Sequence, residues 1–241
     1  GEDEYFALRT ARNKHIIKKS EQIKYHQFSA GVIGLSIGSV ILSALISTGG
    51  PKKIKIADND TVEITNLNRM NASLLDVGEK KVIVAARKTW EMDPFAEITI
   101  LDKKINEKTI GAFILESTKI GVLIDAMDSL PLKIRARLIC KQHRIPVVMA
   151  TSNGDGIILD VERYDTEPKL EVFHGRLGDV KSVDLQFTDY SDWLSKALKI
   201  VDPNLLTPRL RESISQLGKS ISGIPQLSTT VQIGAAATAY V

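Results

Sequence analysis

One cysteine, Cys140, stands in 241 residues, which excludes a disulfide framework and any zinc site built from several cysteines or a CxxC pair. Long apolar runs are absent as well. The longest, Val40 to Ile46, contains Ser43 and falls far short of the ~20 residues that span a bilayer, so no membrane partner is expected. Aromatic residues make up 5% of the chain, and none interleaves with basic residues in a nucleic-acid motif. With a net charge of only +3, from 32 lysines and arginines against 29 aspartates and glutamates, nucleic acid is not an expected partner either. Apolar residues at 43% and charged ones at 25% exclude disorder, collagen and coiled coil, and suffice for a sizeable core. Residues 1–10 (GEDEYFALRT) are acidic and carry no apolar segment, which reads as no signal peptide and a cytoplasmic location.

What is present begins with a local charge excess. Residues 9–24 carry Arg9, Arg12, Lys14, Lys18, Lys19 and Lys24 against Glu21 alone. Such a segment is either a solvated amphipathic helix or an arm that grips phosphate, and the spacing predicts a basic helical arm over 1–27. From Ala30 the pattern is regular. AGVIGL is a short apolar run into a glycine turn, and GSVILSALIST then has helical spacing up to Gly49, Gly50 and Pro51. Strands are predicted at 53–58, 96–101, 120–125 and 146–151, with helices at 79–92, 106–117 (Asn106 as cap) and 130–143. Strands alternating with helices form right-handed βαβ units, so the fold class is α/β: a doubly wound, mostly parallel Rossmann-like sheet with flanking helices.

After residue 151 the pattern loosens. GIILDVERYD (156–165) reads as one or two strands, 166–190 as a flexible crossover loop, and DWLSKALKIV and PRLRESISQLG as helices. This divides the chain into an arm (1–27), a nucleotide-binding domain (28–165) and a crossover loop with C-terminal helices packing on that domain (166–241). Val241 falls inside a small, apolar, uncapped stretch, and a continuation of the chain is expected there.

Three segments carry chemistry. In GLSIGS, Gly34 and Gly38 flank a turn between strand one and a helix, where backbone N–H groups and the helix N-terminus can hold phosphate. Ser36 and Ser39 occupy the second and third glycine positions of the dinucleotide frame, which counts against NAD. Asp58 closes strand two, where a carboxylate can take both hydroxyls of a ribose or simply cap the strand. The third segment is the most specific: DNDTVEITNLNR (58–69), followed by the turn Gly78 to Lys81, and then LIDAMDS (123–129).

The pattern D-x-D-x-V-x-x-x-N-L-x-R followed by G-x-x-K, with the second aspartate motif, resembles the ThiF/MoeB/E1-like family of ATP-dependent carboxylate-adenylating enzymes. The resemblance covers residues 5–165. The arm, GLSIGS, DVERYD and GIPQLSTTV are similar to a bacterial ThiF-like subgroup often fused to a nitroreductase-like domain, which would follow residue 241 here. The resemblance implies that Asp58 binds the ATP ribose, with Asp60 beside it. It implies that Asn66, Arg69 and Lys81 bind the triphosphate, and that Asp128 holds Mg²⁺ beside the α-phosphate. It further implies a homodimer in which an arginine of the partner's arm reaches the γ-phosphate. Arg12 is the nearest candidate, while Lys14 follows Asn13 where the family pattern puts that arginine. Several cations are what attack of a carboxylate on an α-phosphorus requires, because both reactants are negative. Arg69 offers a bidentate fork and Lys81 a point charge, and Asp128 offers a hard oxygen ligand.

The implied function is ATP-dependent activation of a carboxylate, a peptide or protein C-terminus, as an acyl-adenylate. Two alternatives stand beside it: an NAD- or FAD-binding Rossmann module of a redox protein, and a non-catalytic nucleotide-binding scaffold. His174 reads as a loop residue, Trp90 as core, and Cys140 as a packed thiol rather than a nucleophile. The small residues Gly234 to Ala239 fit either a dimer seam or a tight core helix.

Overall fold

The computed structural model describes residues 1–180, 190–221 and 223–241. Six strands form one sheet: β1 (Ser29–Ile33), β2 (Lys53–Ala57), β3 (Glu97–Leu101), β4 (Val122–Asp125), β5 (Val147–Asn153) and β6 (Gly156–Glu162), in the order β3-β2-β1-β4-β5-β6. The first five run parallel, and β6 returns antiparallel along β5 through a turn at Gly154. The strands β1 and β2 are buried along nearly their whole length because helices cover both faces.

The helices are α1 (Glu2–Arg9), α2 (Lys19–Gln27), α3 (Gly38–Ser47), α4 (Lys81–Met92), α5 (Ile110–Leu115), α6 (Leu130–Gln142), α7 (Tyr190–Val201), α8 (Pro208–Gln216) and α9 (Ser228–Tyr240). One core lies between the sheet and α3, α4 and α9, where Val32, Ile56, Ile124 and Val148 meet Leu42, Val82 and Val231. A second lies under α5 and α6, where Ile33, Leu123 and Val147 meet Phe113 and Ile139. The alternation of these strand residues between the two cores follows from the two-residue period of a strand. In α9, a Cβ on Gly234 would lie 3.4 Å from Ala150 Cβ, so its small residues make a tight core helix.

Several local expectations are corrected. The basic arm is not one helix: it breaks after Arg9 into a 3-10 turn (Ala11–Asn13) and His15 at φ 72°. Asn13 Nδ2 fixes that bend by donating to Gln22 Oε1 at 2.8 Å and to Thr48 O at 3.1 Å. Helix α4 starts at Lys81, and α5 starts at Ile110 because Asn106 caps the preceding turn, accepting from the Lys108 and Thr109 N–H groups. The segment expected to be a flexible loop is anchored over 166–180: Phe173 is fully buried and its N–H donates to Glu162 Oε1 at 2.7 Å. Its remainder, 181–189, lies outside the described residues. Trp90 is 42% exposed, not core, with its indole N–H donating to Ala96 O. Among the described residues no helix is long and apolar enough to cross a membrane.

Candidate functional site

The strand order reverses direction between β1 and β4, and in such sheets ligands bind outside the carboxyl ends of the strands at that point. Gly34 ends β1 there at φ +88°, and a Cβ on it would lie 2.2 Å from Ala126 O. Only glycine fits, so the turn leading to α3 presses directly against the chain leaving β4. Ser36, in the same turn, has a buried hydroxyl with no partner, and Gly38 opens α3 with its backbone N–H groups facing the turn.

Asp58, just past β2, shapes this turn. Its Oδ2 accepts the Leu35 N–H at 2.7 Å and its Oδ1 accepts the Asp60 N–H at 2.8 Å. Asp60 pairs with Lys81 (Nζ to Oδ2, 3.0 Å), and the Lys81 side chain is nearly enclosed while the Asp60 carboxylate is exposed. The Lys81 N–H also donates to Asp60 O at 3.0 Å, which joins the two ends of the 58–81 segment. Within it, buried Asn66 accepts the Glu63 N–H at 3.1 Å. Arg69 Nη1 donates to Thr65 O and Asn68 Oδ1, both at 2.9 Å, and its Nε is buried without a partner. The segment is tied over α3 by Asn71 Nδ2 donating to Ser43 Oγ at 2.6 Å. Asp58, Asp60, Asn66, Arg69 and Lys81 thus belong to one folded unit beside the glycine turn. Unpartnered buried donors on Ser36 and Arg69 are the kind of groups an anion satisfies.

The end of β4 was only partly foreseen. Asp125 is fully buried and held by Arg137 (Nη1 to Oδ2, 2.5 Å) and Lys133 (Nζ to Oδ1, 3.0 Å). Arg137 also binds Glu162, which accepts from the Tyr164 hydroxyl at 2.6 Å, and its guanidinium lies 3.9 Å from the Phe173 ring centroid. Burial alone would raise the Asp125 carboxyl; the Lys133 and Arg137 charges outweigh it and hold the carboxyl below the usual range. Asp125 Oδ1 accepts the Met127 N–H at 3.1 Å and so sets the course of the chain into Asp128. The signal for this network was present: Lys133 and Arg137 stand four apart on one face of the helix that follows Asp125.

Asp128 itself is exposed and has no hydrogen-bond or ion-pair partner among the described residues. It borders a cavity of about 220 Å³ over β5, shared with Ile37 of the glycine turn. Among the described residues no cluster of three or more His, Cys, Asp or Glu could enclose a metal ion. A lone carboxylate beside a turn with an unpartnered buried donor has the chemistry that Mg²⁺ accepts, since that ion is usually held by one or two carboxylates together with substrate phosphates.

Arg12 is not brought to this site by its own chain. It is exposed on the arm, which binds the C-terminal end of α3 through Gln22 and Thr48 O at 3.1 Å. The glycine turn is at the other end of that helix, roughly 15 Å away at 1.5 Å per residue. Cys140 is fully enclosed, and burial pushes its thiol up to about 12. His174 Nε2 lies 3.6 Å from Asp160 Oδ2, away from the glycine turn.

The ThiF family pattern matches residues 9–184. An uncharacterized protein of Mycobacterium tuberculosis is 34% identical over 233 residues, which covers 97% of this chain and 32% of that protein. The tRNA threonylcarbamoyladenosine dehydratase of Bacillus subtilis is 28% identical over 192 residues, 75% of this chain and 74% of that one. The crystal structure of the Escherichia coli tRNA N6-threonylcarbamoyladenosine dehydratase in complex with ATP superposes with a TM-score of 0.57 at 25% identity, over 62% of this chain and 61% of that one. The chain spans about a third of the length of the first of these relatives.

Proposed function

The chain belongs to the ThiF family, and from that premise we propose that it adenylates a carboxylate with ATP, releasing pyrophosphate. The observation that carries this reading is the placement of the glycine turn, the 58–81 unit and Asp128 around one strand-order switch point. An ATP complex of a solved relative supports the choice of nucleotide.

In this reading Asp58 takes the ribose hydroxyls, and the turn from Gly34 to Gly38 receives the phosphates with Ser36 as a side-chain donor. Asn66, Arg69 and Lys81 bind the triphosphate, and Lys81 exchanges its bond to exposed Asp60 for a phosphate oxygen. Mg²⁺, held by Asp128, would neutralise charge at the α-phosphate. A substrate carboxylate oxygen forms a bond to the α-phosphorus, and the bond to the bridging oxygen breaks so that pyrophosphate leaves with its electron pair. The carboxylate is already ionised at neutral pH, so no general base is needed and the chain's work is positioning and charge neutralisation. Arg12 of a second copy, across a homodimer, would complete the γ-phosphate grip, with Lys14 the neighbouring candidate. The acyl group then passes to an external nucleophile, because the one thiol, Cys140, is enclosed and protonated.

The carboxylate is that of a peptide or protein C-terminus. A second reading, the threonylcarbamoyl carboxylate of a modified tRNA adenosine, is favoured by the name of the Bacillus subtilis relative. ATP–pyrophosphate exchange separates the two. Exchange stimulated by C-terminal peptides supports the first, and exchange only with threonylcarbamoyladenosine tRNA supports the second. Absence of ATP binding would sink both.

A further inference from the structure

The cavity beside Asp128 is walled by apolar side chains on nearly every side. Met149 of β5 forms its floor, and Leu194, Ala197 and Leu198 of α7 face it from above, with Leu210 of α8 closing one flank. At about 220 Å³ it exceeds many times over the roughly 10–15 Å³ that one water needs. Its charged lining is Asp125 and Lys133, which pair with each other, and Asp128, which has no partner among the described residues; Ile37 of the glycine turn borders it as well. Of its other polar lining, Asn153 is engaged in structure, its Nδ2 donating to Leu205 O at 2.6 Å, whereas Gln226 Oε1 is buried without a partner.

The positions along the sheet edge give this cavity a meaning. Read across the strands, Asp58 lies at the end of β2, the glycine turn at β1, Asp125 to Asp128 at β4 and the cavity over β5. A nucleotide with its ribose on Asp58 and its α-phosphate at the glycine turn has the β2–β1 half of this edge. The group that attacks the α-phosphorus then has the β5 half, on the far side of Asp128. The cavity is continuous with the nucleotide turn through Ile37 and is fixed in place by strong anchors. Arg176 binds both Asp160 of β6 (3.0 Å) and Ile200 O of α7 (2.5 Å). An open, largely apolar chamber that is bordered by Asp128 and Ile37 of the glycine turn suits a substrate of matching polarity: a carboxylate with a large apolar side chain close behind it.

We propose that this cavity is the acyl-side pocket and that it selects peptides whose C-terminal residue has a bulky apolar side chain, such as leucine or phenylalanine, against glycine-ended tails. The proposal rests on the adenylation reading for the identity of the reacting end. A side chain in this chamber displaces water from Met149, Leu194 and Leu198, which a terminal glycine leaves exposed to solvent inside the site. Even one methylene in an apolar pocket changes selectivity by about tenfold or more.

The test uses the whole chain and acetyl-Ala-Ala-Xaa peptides with a free carboxylate, Xaa being Gly, Leu or Phe. Binding is read by calorimetry with and without AMP, beside pyrophosphate exchange. The Leu and Phe peptides are expected to bind about tenfold or more tighter than the Gly peptide, with a negative heat-capacity change. Ala197→Phe, which fills the chamber, should bring the Leu peptide down to the affinity of the Gly peptide. Leu198→Ala, which enlarges it, should move the preference from Leu towards Phe, and it guards against an Ala197→Phe protein that does not fold. Equal affinities for the Gly and Leu peptides overturn the proposal, as does binding of none of them at millimolar concentration. Selective binding of threonylcarbamoyladenosine tRNA to the exclusion of every peptide also overturns it. A Leu preference without any ATP binding supports the pocket while defeating the adenylation reading, so the two failures are distinct.

Discussion

Replacing Arg137 with leucine should destabilise the fold by about 3 kcal/mol at neutral pH. Stranding the partners of a buried charge usually costs about 3–5 kcal/mol, and the structure places this site at the lower end. The guanidinium is fully buried and pairs with two fully buried carboxylates. Asp125 would keep Lys133 at 3.0 Å, so the chief stranded charge is Glu162, left with the Tyr164 hydroxyl and the Phe173 N–H as donors. Leucine retains apolar contact with the Phe173 ring. At about 2–4 °C per kcal/mol for a chain of this size, Tm should fall by about 6–12 °C. The pH dependence gives the sharper check. In the wild type the Asp125 carboxyl is held below the usual range, so its contribution is present above the unfolded value of about 4 and is lost as pH falls through the lower folded value. In Arg137→Leu a stranded carboxylate relieves its cost by taking up a proton, so the deficit should shrink between about pH 8 and about pH 5. Adding Glu162→Gln should restore much of the loss at the higher pH. Urea unfolding of the wild type and both variants measures all of this. A deficit below about 1 kcal/mol at the higher pH, or one that grows on acidification, would refute the reasoning that charge pairing holds the network.

Mg·ATP at a hundred times its Kd should stabilise the protein by about 2.7 kcal/mol, a Tm rise of about 5–11 °C, with NAD and FAD far behind; a larger shift with NAD would favour the redox module. Arg69→Ala and Lys81→Met should each slow pyrophosphate exchange by about a hundredfold while AMP binding, measured by calorimetry, changes little, since AMP lacks the β- and γ-phosphates; unchanged exchange would remove the residue from the triphosphate grip. Cys140→Ala should keep the parental exchange rate, and mass spectrometry should find no thiol-labile acyl adduct on the wild type; a thioester at Cys140 would overturn transfer to an external nucleophile.

The sheet was legible because its signals are local. Each strand is a short apolar run bounded by turn residues, and Pro51, Asp93-Pro94 and Pro131 mark where helices stop and start. What was not legible depends on tertiary partners. The basic run 9–24 has helical composition throughout, yet Asn13 finds Gln22 and Thr48 O and bends the chain. The segment 166–180 has no periodicity, yet Phe173 supplies one ring and one N–H to a buried network built by β4, α6 and β6. Trp90 has the residue type and spacing of a core position, but its indole N–H satisfies the Ala96 carbonyl at the rim of α4, and that polar bond keeps the ring half in water. For the site, motif spacing located Asp58 to Lys81 and Asp128. It did not single out Lys133 and Arg137: their four-residue spacing after Asp125 was visible, but the pairing of Arg137 with both Asp125 and Glu162, 25 residues further on, arises only when β4, α6 and β6 come together.

The side chains proposed to bind nucleotide are also those that hold the site in shape, so substitutions there act on both. Asp58 accepts two backbone N–H groups, one from the glycine turn and one from its own loop, so removing its carboxylate loosens the turn as well as any ribose contact. Asn66 caps a short helical turn through its Oδ1, while Lys81 closes the loop through Asp60. Arg69 differs: its bonds are to an exposed carbonyl and an exposed amide of its own loop, and its Nε is buried without a partner. Asp128 differs further, with no partner among the described residues. A scaffold that had lost catalysis would still need Asp58, Asn66 and the Lys81–Asp60 pair to keep its shape. It would have no structural use for an unpartnered exposed carboxylate at the switch point or for a guanidinium with an idle buried donor. Arg69 and Asp128 are therefore the positions at which an active adenylating site and an inert nucleotide-binding scaffold part company.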